Sequence, residues 1–233
     1  MQGEEGGRVL AETARHLAVR MSYEDVIRVA QAKIDPQRLS RVAEQMAVRP
    51  GQPFMVSEFL KPGIEEFCSV LPAGLARRIL AFAERHPRLA RAHWGMEVKT
   101  SSVSGYLRFW MLDRLRSFRP RTYRFQQEQQ AIEHWLRQVA QAAALSNELA
   151  IEIAECARLI KGYGDTHKRG TANYRLIERE LIMPALAGSM PPGQAAEAIA
   201  NARTAALLDP EGEALAKCLA DIAGRADRRL AAE

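Results

Sequence analysis

Leu159-Ile-Lys-Gly-Tyr-Gly-Asp-Thr-His-Lys-Arg-Gly-Thr-Ala-Asn-Tyr174 decides the fold, because its glycines and polar residues stop one helix and start another. Gly162 stands where the upstream helix should end, since glycine reaches the left-handed region without a Cβ clash. Asp165 then reads as an N-cap whose carboxylate accepts from the first backbone N–H groups of the next helix. The flanking segments, Asn147 to Lys161 and Thr166 to Ala187, are therefore predicted to be helices. Lys161, Tyr163, Thr166, His167, Lys168 and Arg169 add a mixed set of groups able to donate protons and hold an anion. The plainer reading of the same residues is a well-capped helix hairpin with solvated charges.

Outward from this turn, nearly every segment is helical in pattern. Ser22-Tyr-Glu-Asp25 resembles a capping box, with Asp in place of the usual Glu, and it leads into Val26, Ile27, Val29, Ala30 and Ile34 at helical spacing. Asp35-Pro36 opens another helix, with proline at its tolerated first position. Further helices fit Pro72 to Arg85, Gly105 to Phe118, Phe125 to Leu145, Gly193 to Leu208 and Glu211 to Leu230. Gln52-Pro-Phe-Met-Val-Ser-Glu-Phe-Leu-Lys-Pro62 alone has an extended look, bracketed by prolines that disfavour helix. The pattern predicts an all-α, multi-helix orthogonal bundle of about nine or ten helices with one extended arm. Met1-Gln-Gly-Glu-Glu-Gly-Gly7 reads as a linker or the start of an excised domain. Residues 8–187 are expected to form one helical domain. Gly188-Ser-Met-Pro-Pro-Gly193 then separates off a C-terminal hairpin, 188–233, docked on that domain.

The bulk numbers exclude several classes. With 233 residues, 47% hydrophobic and 26% charged, the chain can bury a full core. No apolar run reaches transmembrane length and no signal-peptide core opens the chain, so a cytoplasmic protein away from membranes is expected. Cys68, Cys156 and Cys218 are widely spaced in apolar contexts and read as small buried hydrophobes, with no paired spacing for zinc, a cluster or a redox couple.

The net charge of +5 is concentrated. Lys99, Arg108, Arg114, Arg116, Arg119, Arg121 and Arg124 fall in one 99–124 window with a single acid, Asp113, while the rest of the chain carries 26 basic against 27 acidic residues. An anionic partner at that window is the better inference than a uniformly basic surface. Lys99, Thr100, Ser101, Ser102, Ser104 and Arg108 would place hydroxyls and free N–H groups at a helix start, a candidate phosphate cradle. The alternative is that Ser104 caps the helix, Leu107, Trp110, Met111 and Leu115 are core, and the arginines are solvated. Arginines interleaved with Tyr106, Phe118, Tyr123 and Phe125 also admit nucleic acid, but no known binding motif supports it.

No glycine-rich phosphate loop, no GxSxG and no metal-spaced histidine pair is present. Glu148, Glu152 and Glu155 line one helix face with no Glu-x-x-His partner, and Glu155 with Arg158 makes an ordinary ion pair, so no metal is expected. His16, His86, His93 and His134 read as capping or packing groups. Glu58 and Lys61 in the extended arm read as solvated.

Four blocks carry a family resemblance: Tyr23-Glu-Asp-Val-Ile-Arg-Val-Ala, Ser57-Glu-Phe-Leu-Lys-Pro-Gly63, Thr100-Ser-Ser-Val-Ser-Gly105 and above all Lys161-Gly-Tyr-Gly-Asp-Thr-His-Lys-Arg-Gly170. They resemble the C-terminal helical region of the indolepyruvate oxidoreductase beta subunit, over most of residues 20 to 187. The resemblance implies oxidative decarboxylation of an aryl-2-oxo acid with coenzyme A and ferredoxin. Thiamine diphosphate and 4Fe-4S clusters are expected on a large partner subunit, and none of these groups on this chain alone. The family's glycine-rich GxGGQG-type segment and its cluster cysteines are missing here, so what is implied is an auxiliary, non-catalytic domain with CoA as a further ligand. A free-standing helical interaction protein, or less readily a basic nucleic-acid-binding module, would also fit the residues.

Overall fold

The computed structural model of the protein describes residues 2–21, 26–90, 92–162 and 164–230. In chain order its helices are α1 (Gln2–Met21), α2 (Val26–Lys33), α3 (Arg38–Gln45), α4 (Ile64–Ser69), α5 (Ala73–Glu84), α6 (Pro87–Ala90), α7 (Val103–Arg114), α8 (Tyr123–Ala143), α9 (Asn147–Glu155), α10 (Gly164–Ile177), α11 (Met183–Leu186), α12 (Pro192–Leu208) and α13 (Glu213–Leu230). Two strands, β1 (Ser57–Leu60) and β2 (Met96–Lys99), pair antiparallel with Ser57 opposite Lys99 and Leu60 opposite Met96. The protein is all-α, a multi-helix bundle with one small ribbon.

Several expected helices are subdivided for local reasons. The one predicted to run to Phe118 changes at Leu115 into a 3-10 segment, Leu115–Arg121, that contains Pro120. The helix after Asn147 tightens into a 3-10 turn at Cys156–Leu159 before Gly162, which adopts φ +76°. The long helix from Gly164 widens to a π-helical turn at Glu178–Ile182. That turn directly precedes Pro184, which has no N–H to give and whose ring would meet the carbonyl of residue 180 in a regular helix.

The chain divides into two compact units, one of residues 1–23 and 131–233 and one of residues 24–130. They are called here the terminal and the central unit. Residues 8–187, expected as one domain, are divided between the two units, and at 187/188 the chain turns inside the terminal unit, with Gly188 at φ +78°. α12 returns onto α9 and lays down Ala195, Ala196, Ile199, Ala202 and Ala206 there, so the core continues across the turn. Small side chains allow that close approach. Residues 2–7, expected as a linker, are helical as the start of α1. Each glycine costs about 1 kcal/mol relative to alanine in a helix, and the packing of Val9, His16 and Arg20 along one side of α1 offsets it.

In the terminal unit Trp135, Leu149, Ile153, Ile177, Ile182, Ile199 and Leu215 are fully buried. Trp135 satisfies its indole by donating Nε1–H to Ile153 O at 3.1 Å. In the central unit the ribbon sits beside α2 and α7, and Ala30, Val98 and Phe109 form a small core with Ile34, Leu60 and Leu112 against it. The extended arm thus contains a strand, as its pattern implied, but its partner β2 went unread. Four residues of Met-Glu-Val-Lys, with Val98 alone buried, are too short to show a period. Glu58 is not solvated: it bonds Lys33 Nζ at 2.7 Å and also pairs with Arg38. The capping box expected at Ser22–Asp25 lies outside the described residues.

Candidate functional site

The Leu159–Tyr174 turn is held by backbone contact. A Cβ on Gly170 would lie 2.1 Å from Leu159 O, so α10 crosses the preceding 3-10 turn at a distance only glycine permits. Asp165 lies inside α10, in its first turn, and not at the cap; its carboxylate still lies at the positive end of the helix. The cap position, Tyr163, is outside the described residues. Further along, the helix is tied to the α12–α13 connection. Arg169 pairs with Glu211, and Asn173 donates to Pro210 O at 3.1 Å beside Gly212, which has φ +92°. Asp209 anchors that connection by accepting from Ala214 N at 2.8 Å and Glu211 N at 3.1 Å; the backbone hydrogen bond from Ala214 leads in lowering its pKa. Lys161, Asp165, Thr166 and Lys168 are exposed, while His167 and Arg169 are half-buried. Arg169, offered by the sequence as an anion ligand, is thus turned to an acid of its own unit.

The second candidate, the start of α7, repeats the device. A Cβ on Gly105 would fall 2.0 Å from Lys99 O. Ser102, not Ser104, is the N-cap: its Oγ accepts from Gly105 N at 3.1 Å and donates to Lys99 O at 2.7 Å. Thr100 Oγ1 donates to Val56 O at 3.2 Å and accepts from Arg38 Nη1 at 3.1 Å. Ser101 Oγ accepts from Val56 N at 3.2 Å, and Ser104 Oγ lies 3.4 Å from Ser102 Oγ. The hydroxyls expected to cradle a phosphate are committed to fastening β2 and α7 to the arm. Lys99 and Arg108 remain exposed.

An ionic cluster that the sequence reading missed lies in the terminal unit. Glu155 accepts from Arg15 Nη2 at 2.7 Å, Arg158 Nη1 at 3.0 Å, Arg203 Nη1 at 3.1 Å and lies 3.2 Å from His16 Nε2. Arg203 also reaches Glu152 at 2.8 Å. Burial alone would raise the pKa of Glu155, but hydrogen bonds from Arg158 and His16 and the charge of Arg203 outweigh it and hold the carboxyl at about 2. Glu12, His16 and Glu155 place ligand-type atoms within 4.8 Å of one another. The Arg15 guanidinium already stands among them, 2.5 Å from Glu12 and 3.0 Å from His16, so the cation of this cluster is an arginine. The i,i+4 spacing of Glu12 and His16 was the only signal available for it.

Neither thiol nor phenol chemistry is favoured nearby. Burial pushes Cys156 up to about 12 and raises Tyr174 as well. Tyr174 instead starts a structural chain, donating to Gln138 at 3.0 Å; Gln138 donates to Glu178 at 2.6 Å, which His134 meets at 2.5 Å.

The outer face of α7 corrects another expectation. Phe109 and Gly105 face the core, whereas Leu107, Trp110 and Met111 are exposed and Leu115 is half-buried. Apolar residues recur at helical spacing on both sides of α7, so spacing alone could not choose the buried one.

Among the described residues no helix is long and apolar enough to cross a membrane. No curated protein and no solved structure matches the chain. The family match covers residues 1–180 and so includes both glycine-locked turns and the ionic residues up to Arg158. The chain belongs to the family of unknown function DUF6537.

Proposed function

We propose that this chain is the auxiliary helical domain of an oxidoreductase that decarboxylates an aryl-2-oxo acid such as indolepyruvate onto coenzyme A. Thiamine diphosphate and iron–sulfur clusters belong to a large partner, and the assembly is cytoplasmic. The observation that carries the reading is the fate of the two polar turns. Two of the four blocks of the resemblance, Thr100–Gly105 and Lys161–Gly170, end on a glycine pressed against a carbonyl, and most of their described hydroxyls and their one arginine, Arg169, serve the fold. Such turns position helices, as an auxiliary domain requires. Their described residues do not assemble a nucleophile, a base and an oxyanion donor.

What each turn leaves open is charge: Lys161 at one, Lys99 and Arg108 at the other. These cations suit the phosphates of CoA in the assembled enzyme. The test is reconstitution with a purified thiamine- and cluster-bearing subunit. The pair should co-elute and reduce a viologen dye with indolepyruvate and CoA, and neither part should do so alone. Lys161→Ala should raise KM for CoA by about 3–10-fold, the loss of one charge-assisted contact. Failure to co-elute would sink the proposal, and an unchanged KM would remove CoA from the Lys161 turn.

A further inference from the structure

α7 is apolar on two opposite sides. Its inner side meets Ala30 and Val98 through Phe109 and Leu112. Its outer side carries Val103, Tyr106, Leu107, Trp110 and Met111, at positions i, i+3, i+4, i+7 and i+8; Val103 is 87% exposed and Met111 61%. From Val103 to Met111 this stripe runs about 12 Å, a little over two turns of helix. A helix that is hydrophobic all round belongs in an interior. Nothing among the described residues of the central unit buries this outer side.

The charges decide what covers it. Tyr106, Trp110 and Arg114 follow one another at four-residue steps, and Arg114 stacks its guanidinium over the Trp110 ring, 4.6 Å from the centroid. A stacked guanidinium keeps its in-plane N–H fork free for a carboxylate, and it makes no ion pair among the described residues. Tyr, Trp and Arg are also the residue types that concentrate binding energy at protein interfaces. Arg108, Arg116 and Arg121 are exposed nearby in sequence, and Arg121 sits 5.9 Å from the Phe118 ring. Asp113 is the one acid of the window. A second copy of this face would bring arginine against arginine, so self-pairing is opposed.

We propose that the outer face of α7 docks a protein segment of complementary kind: an amphipathic helix with an apolar stripe edged by Asp or Glu. Its side chains enter beside Leu107, Trp110 and Met111, and one of its carboxylates takes the fork of Arg114. This stands whether or not the oxidoreductase reading does.

The test uses the full chain and two fluorescein-labelled 21-residue helical peptides with one leucine face and a polar face of either glutamate or lysine, read by anisotropy. The glutamate peptide should bind at least tenfold tighter than the lysine peptide, and more weakly as salt rises. Trp110→Ala and Arg114→Glu should each weaken it at least tenfold, Arg114→Glu should reverse the preference toward the lysine peptide, and Arg175→Glu, at an exposed position of α10, should change nothing. Circular dichroism and Tm should stay at wild-type values, since all these side chains are exposed. Equal binding of both peptides, no binding, or binding indifferent to Trp110 and Arg114 would overturn the proposal. So would a Trp110-dependent dimer in sedimentation, or a 20-nucleotide single-stranded DNA that binds with the same dependence.

Discussion

The terminal and central units solve the problem of a core differently. In the terminal unit Trp135 and Tyr174 are buried, alanines draw α12 onto α9, and an ion-pair hub around Glu155 bonds residues of α1, the 3-10 turn and α12. In the central unit the main cluster is Ala30, Val98 and Phe109, and every aromatic among the exposed large hydrophobics lies there: Phe54, Phe59, Phe67, Phe82, Trp94, Tyr106 and Trp110. Scattered apolar residues on a surface need no explanation, but aromatics gathered in one unit of a chain do. The terminal unit keeps its described aromatics, Trp135 and Tyr174, inside, whereas the central unit presents aromatic surface of the kind that interfaces cover.

That contrast breaks first at Trp135. Trp135→Ala removes a fully buried ring, its hydrogen bond to Ile153 O and its stacking with Arg20, and should cost about 3–5 kcal/mol. Hydrogen exchange should show α9, α10 and α12 losing protection, and the central unit should already exchange faster in the wild type. A central unit as protected as the terminal one would erase the distinction.

Next in size come the glycine-on-carbonyl contacts, which the units share. Gly170→Ala and Gly105→Ala each force a helix off a carbonyl that a Cβ would meet at 2.1 and 2.0 Å. Each should cost about 1–3 kcal/mol, as overpacking does. Urea denaturation in a Trp94→Phe, Trp110→Phe background, where Trp135 is the one remaining indole, should register Gly170→Ala strongly and Gly105→Ala weakly. Equal shifts would mean that the two units unfold together.

The hub should show itself through acid. Glu155 falls from an ordinary 4.5 to about 2 on folding, so the unfolded chain takes up its proton first. Its stabilisation is complete above pH 4.5 and is lost as pH falls from there toward 2. Glu155→Gln should cost about 1–3 kcal/mol at pH 7, because half-buried Arg203 loses part of its counter-charge. It should also flatten the stability curve over that acid range. A Gln variant with the wild-type acid profile would show that other carboxylates carry it.

How much of this was legible follows from the range of the forces. Local chemistry was readable in part: Gly162 takes the left-handed conformation its place predicted, although the α-helix ends earlier, at Glu155, and its 3-10 extension at Leu159, and the Pro-bracketed arm is extended at Ser57–Leu60. The cap at α7 was read two residues late, because Ser102 and Ser104 are both able caps and only the packing of Gly105 on Lys99 O chooses between them. Non-local chemistry was not readable. Arg15 and His16 meet Glu155 from 140 and 139 residues away, and no spacing within one helix encodes that. The two polar turns looked like ligand sites because their donors are dense. The structure shows those donors answering Val56, Lys99 and Glu211, partners that only the fold brings near.

The smallest effects on stability make the sharpest test of the comparison, and α7 supplies both halves of it. Ser102→Ala removes a side chain that caps the helix and holds Lys99 O, and should cost about 1 kcal/mol in the central unit. Leu107→Glu and Met111→Glu change larger side chains a few residues further along, yet each should stay within about 0.5 kcal/mol, because both residues face outward. Thermal unfolding of the three variants decides between two accounts of the central unit. If the glutamates destabilise as much as the lost cap, then this face packs within the folded chain and its apolar surface is ordinary core. If they leave Tm in place and abolish binding of the acidic peptide, the residues that look most like core are held for another molecule. The unit's sparse interior and crowded surface are then one design.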